Sequence, residues 1–508
     1  MKAMLFKKLI PQSIKNIYHL IQAILANFWF GFPSRKIKVI GITGTNGKTT
    51  TAQMVAKILE EAGFKTAMIS TINFKLGEKE WVNKTKFTTL SSWATQKFIR
   101  RAVKSGCEYL VLETSSHSLN QNRVWGVRYK TAVITNITRE HLDYHKTMEK
   151  YRRAKLALFK KAKNIVVNLD MEHPEEFISG DANKMYGYGV EIPNSKSQIL
   201  NKLQITNYKL QTIIAKDIEL GINKSSYTLR TTHYTLHLPG KFNIENALAA
   251  VCVGLAEGIS LKTSAKALEK IKGIPGRLEN VPNNKGLNII IDYAVTPDSL
   301  EKLYELISEM KNKCHSRLDR ESRMKSLVSE ITLDSLPCRQ AGRFRGNDIN
   351  HGNDINHGNN NNKKIISVFG ACGERDRGKR PIMGEIVSRF ADYIIVTNED
   401  PYNEDPQRII DEVFSGVVGG KSKIQNYKSQ INSKSEIINS KRRAKIFIEG
   451  KNCWRILDRK KAIKKALRLA KPGDFVVITG KGAEETMAVG NKRIPWNDKK
   501  VVMRILAN

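Results

Sequence analysis

The chain has 508 residues, 41% of them hydrophobic, a formal net charge of +36 and six cysteines. Its length allows two or more ordinary domains, and cysteines at 107, 252, 314, 338, 372 and 453, with no C-x-x-C pair, read as reduced usage rather than a disulfide framework or zinc site. The charge alone would suit nucleic acid or an anionic membrane, but no RNA- or DNA-binding signature, signal peptide or bilayer-long apolar run accompanies it, so no nucleic-acid partner and a cytoplasmic location are expected.

Residues 1–36 form a short basic segment in which "NIYHLIQAILANFWFGF" (Asn16 to Phe32) is amphipathic. It would lie on a membrane surface or pack onto the chain's own body. Next comes "VIGITGTNGKTTTAQMVAKILEEAGF", Val39 to Phe64. The apolar run Ile37 to Ile42 predicts a buried parallel strand, and Val55, Ile58, Leu59 and Ala62 predict a helix that Gly63 can end. A strand, a glycine loop and a helix N-terminus is the context of a P-loop, where backbone N–H groups face phosphates. Lys48 would reach the outer phosphates and the Thr49 hydroxyl would ligate magnesium. The strict pattern has glycine at position 42, where this chain has Ile, so a plain glycine turn is the alternative.

Strand-like runs then alternate with helical patterns: "KTAMIS", "YLVLET", "TAVITNI", "NIVVNLD", and later "NIIIDYA", "KIISVFG", "YIIVTNED", "KIFIEG" and "DFVVITG". Such alternation predicts parallel sheets covered by helices. A short β stretch running into an Ala-rich helix separates the two groups. Segments 194–211, 314–362 and 421–441 are biased in composition, the second with a tandem repeat and an Asn run, and read as insertions. Glu113 ends a predicted strand, His141 lies just past another, and Lys155 follows on a helix. In a parallel sheet these carboxyl ends line the ligand crevice, which would bring all three to the P-loop. A helix-start carboxylate and a structural histidine are the alternative readings.

At these residues the chain resembles the Mur ligase family, in the branch that adds the third residue of the peptidoglycan stem peptide. The carrying motifs are "GITGTNGKTT", "FTT" at 87–89, "LETSSHSLNQNR", "TNITREHLDYH", "YRRAKLALF", "LPGKFNIENALAA", "GIPGRLE", "DYAVTPDSL", "FGACGERDRGKRPIMG", "TNEDPYNEDP", "DRKKAI" and "GKGAEE". They stand in the family order from about residue 37 to the end. The resemblance implies an α/β fold: a P-loop central ATPase domain with a parallel sheet (37–280, insertion about 191–212) and a Rossmann-like C-terminal domain (281–508, insertions about 312–363 and 420–443). It implies a ligase that turns a carboxylate of UDP-muramyl-dipeptide into an acyl phosphate with ATP and then joins an amino acid to it. A folylpolyglutamate-synthase-like ligase and a ligation-deficient nucleotide-binding subunit are the alternatives.

By the same resemblance, Gly44, Thr45, Asn46, Gly47, Lys48, Thr49 and Thr50 hold the phosphates. Thr49 and Glu113 bind one Mg2+, while His141 and a carbamylated Lys155 bind a second. Asn243 and Asn246 match positions near the adenine, Asp292 one near the ribose, and Arg277 one contacting phosphate. Capping a helix and a surface ion pair are the bland readings of the two asparagines and of Arg277. Thr88, Thr89, Ser115, Gln121 and Arg123 match groups that hold the acceptor; Arg375, Asp400, Tyr402, Gly480 and Glu484 match the amino-acid site.

Four departures from the family stand out. Only about 36 residues precede the P-loop strand, where the family carries a domain that grips the uridine nucleotide, so the amphipathic segment or a partner would replace that grip, or it is lost. Phe87 stands where the family often has Asn, and Val295 and Ala483 where it commonly has His. Finally, Glu399-Asp400-Pro401-Tyr402 replaces the Asp-Asn-Pro-Arg of the diaminopimelate form. Losing that guanidinium and gaining acids favours a lysine-like diamine as the incoming amino acid.

Overall fold

A computed structural model describes residues 11–85, 87–178, 182–190, 210–312, 363–419 and 445–507. The segments 314–362 and 421–441, and residues 194–209 of the first biased segment, lie outside the described residues.

Among the described residues, nine strands form the first sheet: β1 (Lys38–Thr43), β2 (Thr66–Ile69), β3 (Asn73–Leu76), β4 (Lys79–Val82), β5 (Tyr109–Glu113), β6 (Tyr129–Ile134), β7 (Asn164–Asn168), β8 (Lys184–Gly189) and β9 (Leu210–Ile214). Their order is β4-β3-β2-β5-β1-β6-β7-β8-β9. From β2 to β9 every neighbouring pair is parallel. The central strands are buried on both faces, which is why they read as unbroken apolar runs rather than alternations. The chain passes from β1 out to β2 on one side and later to β6 on the other, so β1 stands at the switch point where open α/β sheets bind ligands.

Helix α1 (Gln12–Phe30) precedes this sheet. Helix α2 (Lys48–Glu61) follows β1 directly and closes as the sequence predicts: Phe64 N–H donates to the Leu59 carbonyl and Gly63 N–H to that of Glu60, with Gly63 at φ +89°. Those bonds are a Schellman cap, for which glycine is the favoured residue. Helices α3 (Ser92–Lys104), α4 (Ser116–Asn120), α5 (Leu142–His145), α6 (Met148–Phe159), α7 (Lys241–Ala256) and α8 (Leu261–Glu269) complete this half. A three-stranded antiparallel sheet of β10 (Lys216–Leu220), β11 (Ser225–Leu229) and β12 (Thr232–Leu236) packs into its core beside α7.

The second large sheet contains β13 (Glu279–Asn280), β14 (Asn288–Asp292), β15 (Ile365–Phe369), β16 (Tyr393–Thr397), β17 (Cys453–Ile456) and β18 (Phe475–Thr479), in the order β13-β14-β18-β15-β16-β17. All its pairs except β13–β14 are parallel. Helices α9 (297–312), α10 (Lys379–Phe390), α11 (Pro406–Val418), α12 (Arg459–Leu469) and α13 (Asp498–Ala507) and the hairpin β19 (Thr486–Val489)–β20 (Lys492–Pro495) complete this half. Separate apolar clusters lie on its two faces. Among the described residues, no helix is long and apolar enough to cross a membrane.

Three expectations need correction. "KIFIEG" (445–450) forms no strand. The Asn452 side chain accepts from Ile448 N–H at 2.7 Å and donates to the Ile446 carbonyl at 2.9 Å, closing the backbone locally and leaving Ile446 78% exposed. The edge strand is β17, with Cys453 opposite Ile394. Residues 210–212, expected inside an insertion, belong to strand β9. The antiparallel β3–β4 hairpin, turning at Gly77 (φ +60°), interrupts the expected strand–helix alternation.

Candidate active site

The P-loop is fastened from the next strand. Thr45 N–H donates to the Asn136 carbonyl and Asn46 N–H to the Asn136 side chain, both at 2.9 Å, while Thr135 Oγ1 donates to the Asn46 carbonyl at 2.6 Å. Gly47 is left-handed, and a Cβ there would sit 2.2 Å from Asn246 Oδ1, so glycine lets α7 approach the loop. The first-turn N–H groups of α2 have no partner within their helix and face the same cleft as the Lys48 side chain. Lys48 Nζ folds back onto the carbonyls of Gly44 (3.0 Å) and Thr45 (2.7 Å). Enclosure lowers its pKa, with the Glu113 carboxylate opposing that effect.

Glu113, at the end of β5, is fully buried, and burial raises its pKa. Thr71 holds it with both its backbone N–H and its hydroxyl, each at 2.9 Å, and Thr49 Oγ1 lies 3.3 Å away. Arg277 Nη2 donates to that same Thr49 hydroxyl at 3.2 Å, and its guanidinium lies over the Tyr293 ring. A carboxylate beside a hydroxyl is a donor pair that suits magnesium, which takes few protein ligands and completes its shell with water and phosphate oxygens.

Several of the residues expected to hold the acceptor lie near Glu113. Thr88 accepts from the Thr71 hydroxyl at 3.1 Å and lines the cleft. Thr89 Oγ1 donates to the Glu113 carbonyl and accepts from Ser115 N–H, and Arg123 donates to the Thr89 carbonyl at 2.7 Å. Ser115 caps α4, and Gln121 ends that helix. Thr89, Ser115, Gln121 and Arg123 do not themselves line the cleft; Thr89 is bonded to Ser115 and Arg123 as well as to Glu113.

His141 lines the cleft in a left-handed conformation (φ +57°), packed edge-on against His117. Burial chiefly, then His117 and nearby cations, holds its pKa well below the usual histidine value. Lys155 is buried on α6 with Nζ 2.8 Å from the Gly44 carbonyl, the same oxygen that Lys48 contacts. Two amines thus lie within about 6 Å, where like charges would repel by about 3 kcal/mol at an effective dielectric of about 20. Burial first, and Lys48 second, lowers the Lys155 pKa well below the usual lysine value. No three His, Cys, Asp or Glu side chains among the described residues form a metal-binding group, and a lysine amine repels cations. A second metal therefore fits His141 and Lys155 only if Lys155 carries a carboxylate-like group.

Asn243 and Asn246 line the cleft from the first two turns of α7, but neither caps it. Asn246 Oδ1 accepts from Thr51 Oγ1 at 3.3 Å, and Asn243 Nδ2 donates to the Pro239 carbonyl at 2.8 Å. The capping alternative is therefore set aside, as is a surface ion pair for Arg277. Asp292 ends β14, accepts from Leu278 N–H at 2.7 Å and also lines the cleft.

Arg375, Asp400, Tyr402 and Glu484 reach the cleft from the second sheet; Gly480 does not line it but meets Glu399, whose carboxylate a Cβ there would touch at 2.6 Å. Lys481, unremarked in the sequence, changes the reading of the acids. Its buried Nζ lies 2.9 Å from both Asp400 oxygens and also pairs with Glu484. The acids expected to receive a substrate ammonium already hold one from the chain. Glu399 is buried beside them, and burial first, then Asp400, pushes its carboxyl up to about 7. A folded-state pKa above the unfolded value of about 4.3 means stability falls as pH rises from about 4.3 to 7. Glu399→Gln is expected to remove that slope and to stabilise the protein by on the order of 2 kcal/mol at pH 8. Thermal melts of both proteins at pH 5 and pH 8 check it, and an equal pH dependence would contradict it.

The two halves meet across one cleft of about 300 Å³. Asn46 Nδ2 donates to Asp298 at 2.8 Å, and the shielded pair Lys379–Glu140 closes at 3.0 Å. Glu140 and Lys379 stand inside "TREHLDYH" and "GERDRGKRP", so the motifs flagged their neighbourhood without their pairing. Asn136 and Asp298 likewise stand inside "TNITREHLDYH" and "DYAVTPDSL", whereas Thr71 carried no sequence signal of its role.

The model of the Mur ligase middle domain matches residues 42–254, and that of the Mur ligase, glutamate ligase domain matches 356–482. A Clostridium botulinum protein called UDP-N-acetylmuramoyl-L-alanyl-D-glutamate--2,6-diaminopimelate ligase is 34% identical, over 95% of this chain and 81% of its own. A Roseiflexus UDP-N-acetylmuramyl-tripeptide synthetase is 31% identical over 96% and 81%. Among solved structures, a UDP-N-acetylmuramoyl-L-alanyl-D-glutamate--2,6-diaminopimelate ligase aligns at TM-score 0.51 and 24% identity, covering 93% of this chain and 78% of its own. Mycobacterium tuberculosis folylpolyglutamate synthase with ADP aligns at 0.56 and 13%, covering 91% of each. With relatives above 30% identity along nearly its whole length, and two α/β halves that meet at one cleft, this chain belongs to the Mur ligase family.

Proposed function

We infer that this chain is an ATP-dependent, ADP-forming ligase that joins an amino acid to UDP-N-acetylmuramoyl-L-alanyl-D-glutamate in peptidoglycan synthesis. The observation that carries this reading is the shared cleft: Lys48, Thr49 and Arg277 enter it beside Arg375, Asp400, Tyr402 and Glu484. An acceptor carboxylate and a phosphoryl group are both anionic, so bringing them together needs preorganised cations and N–H donors. The first-turn N–H groups of α2 and Lys48 hold the outer phosphates of ATP, and Arg277 meets charge on the transferring group. Asn243, Asn246 and Asp292 border the nucleoside side. The acceptor rests against Thr88, with Thr89, Ser115, Gln121 and Arg123 nearby. Its carboxylate takes the γ-phosphoryl group, ADP leaves, and the amine of the incoming amino acid displaces phosphate to form the amide.

Thr49 and Glu113 would hold Mg2+, which supplies charge neutralisation on the phosphates. Carbamylation of Lys155 is part of the proposal: it would replace the repulsion between two amines on the Gly44 carbonyl by an attraction, and would make His141 and Lys155 a fit for a second Mg2+. The lowered Lys155 pKa favours the neutral amine that a carbamate requires. Lys155→Ala is expected to lower turnover by on the order of a hundredfold or more. Added short carboxylic acids should restore part of it, and their failure to do so in steady-state assays would contradict the carbamate.

For the incoming amino acid, the lysine-like diamine gives way to one with a second carboxylate, of the 2,6-diaminopimelate kind. Lys481 already fills the acid pair, while Arg375 stands exposed at the cleft and can receive a carboxylate. Incubation with ATP, Mg2+, the UDP-muramyl-dipeptide and equal concentrations of meso-diaminopimelate and L-lysine decides it by product mass. Predominant diaminopimelate product is expected; predominant lysine product would overturn the choice, and amide product only with a folate acceptor would overturn the function. Any peripheral contact at a membrane or a cell-wall complex belongs to the surface of α1 rather than to this cleft.

A further inference from the structure

Helix α1 is inside out. Helices on globular proteins usually turn their large apolar side chains inward. Here Ile14, Ile17, Tyr18, Ile21, Leu25, Phe28 and Trp29 are all exposed, Phe28 by 67% and Trp29 by 77%. Their spacing of three and four places them along one face. The opposite face is small: Ala23, Ala26 and Asn27 are buried. Asn27 Nδ2 donates to the carbonyls of Ala23 and Trp125, each at 2.8 Å, and Gly126 leaves it the room. At the C-terminus Gly31 turns left-handed, and Arg100 Nη1 on α3 donates to the Phe30 carbonyl at 2.9 Å. The rings of Trp29 and Phe30 meet Trp93 of α3. Polar bonds thus fix the helix in an orientation that apolar burial alone would reverse.

The charge on α1 and α3 is of one sign. No Asp or Glu precedes Glu60 in the sequence, and neither α1 nor α3 contains one. Trp93, Lys97, Arg100 and Lys104 share a face of α3 by their spacing, and the three cations are exposed, as are Arg35 and Lys36 after α1. We propose that α1 and the cationic face of α3 form a docking surface for an anionic lipid bilayer. Aromatic and aliphatic side chains would enter the headgroup boundary while the lysines and arginines meet lipid phosphates, the two signals that together give stable interfacial binding. Nucleic acid would use the cations and leave the stripe exposed. A second copy would bring two cationic rims together, which like-charge repulsion opposes.

The test is flotation of the full chain with vesicles of phosphatidylglycerol and phosphatidylethanolamine, against vesicles of phosphatidylcholine alone. Recovery with the anionic vesicles should exceed that with neutral ones by about tenfold or more, and fall as salt rises. Phe28→Ser/Trp29→Ser and, separately, Lys97→Glu/Lys104→Glu should each lower anionic recovery by about tenfold. Melting temperature and ligation in solution should hold, because these side chains are exposed and none lines the cleft. Equal recovery with both vesicle types, or variants that float like the unaltered chain, would overturn the proposal. So would a concentration-dependent dimer abolished by Phe28→Ser/Trp29→Ser without vesicle binding, which would assign the face to a second copy.

Discussion

Lys48→Ala should lower ATP turnover by about a thousandfold or more while leaving the melting temperature nearly unchanged. The amine is spent on two carbonyls of its own loop, bonds whose net worth is about 1 kcal/mol each, so the fold loses little. Turnover loses far more, because Lys48 is the cation at the N-terminus of α2 and lines the cleft where the outer phosphates would lie. Its lowered pKa does not argue against this, since an arriving phosphate favours the charged form and would restore the proton. Steady-state phosphate release paired with a thermal melt separates the two effects. Turnover within tenfold of the unaltered chain would remove the loop from the mechanism.

The second large effect is on stability. Lys481→Met should destabilise the protein by about 3 kcal/mol at pH 7.5, because it leaves Asp400 buried and Glu484 partly buried without their cation. Asp400 keeps the Ala488 N–H, but a neutral donor carries no charge to replace that of the ammonium. Glu399 sharpens the effect, since loss of Lys481 removes a charge that opposes its raised pKa. The double variant Lys481→Met/Asp400→Asn should recover part of the loss. Urea denaturation of the three proteins measures it, and a loss below about 1 kcal/mol in the single variant would show that the pair is weakly coupled.

What the sequence conveyed, and what it withheld, follows from how each feature is encoded. The strand, loop and helix from Val39 to Phe64 are local: apolar runs, glycines at left-handed positions and a Schellman cap all lie within one continuous stretch. Glu113 and His141 follow strands of one parallel sheet and so come to one edge, which alternation predicts, whereas Asp292 ends a strand of the second sheet and reaches the cleft only because the two halves meet there. Pairings between distant segments carry no such signal. Lys481 with Asp400, Asn46 with Asp298 and Lys379 with Glu140 join residues 81, 252 and 239 positions apart. The stripe on α1 was legible as periodicity, but periodicity does not say which face meets the body; buried Asn27 decides that. At "KIFIEG" the apolar residues misled, because a single asparagine two residues past the stretch, Asn452, closes the backbone as a turn.

The central claim is that this cleft activates an acceptor carboxylate as an acyl phosphate before an amine displaces it. It is tested most directly by labelling the acceptor carboxylate of UDP-muramyl-dipeptide with oxygen-18, supplying ATP, Mg2+ and meso-diaminopimelate, and weighing the phosphate released. Attack of the carboxylate on the γ-phosphorus and departure of the bridging oxygen with phosphate predict one labelled oxygen in each phosphate formed with an amide. Amide formation with unlabelled phosphate, or ATP hydrolysis with no amide at all, would contradict the account.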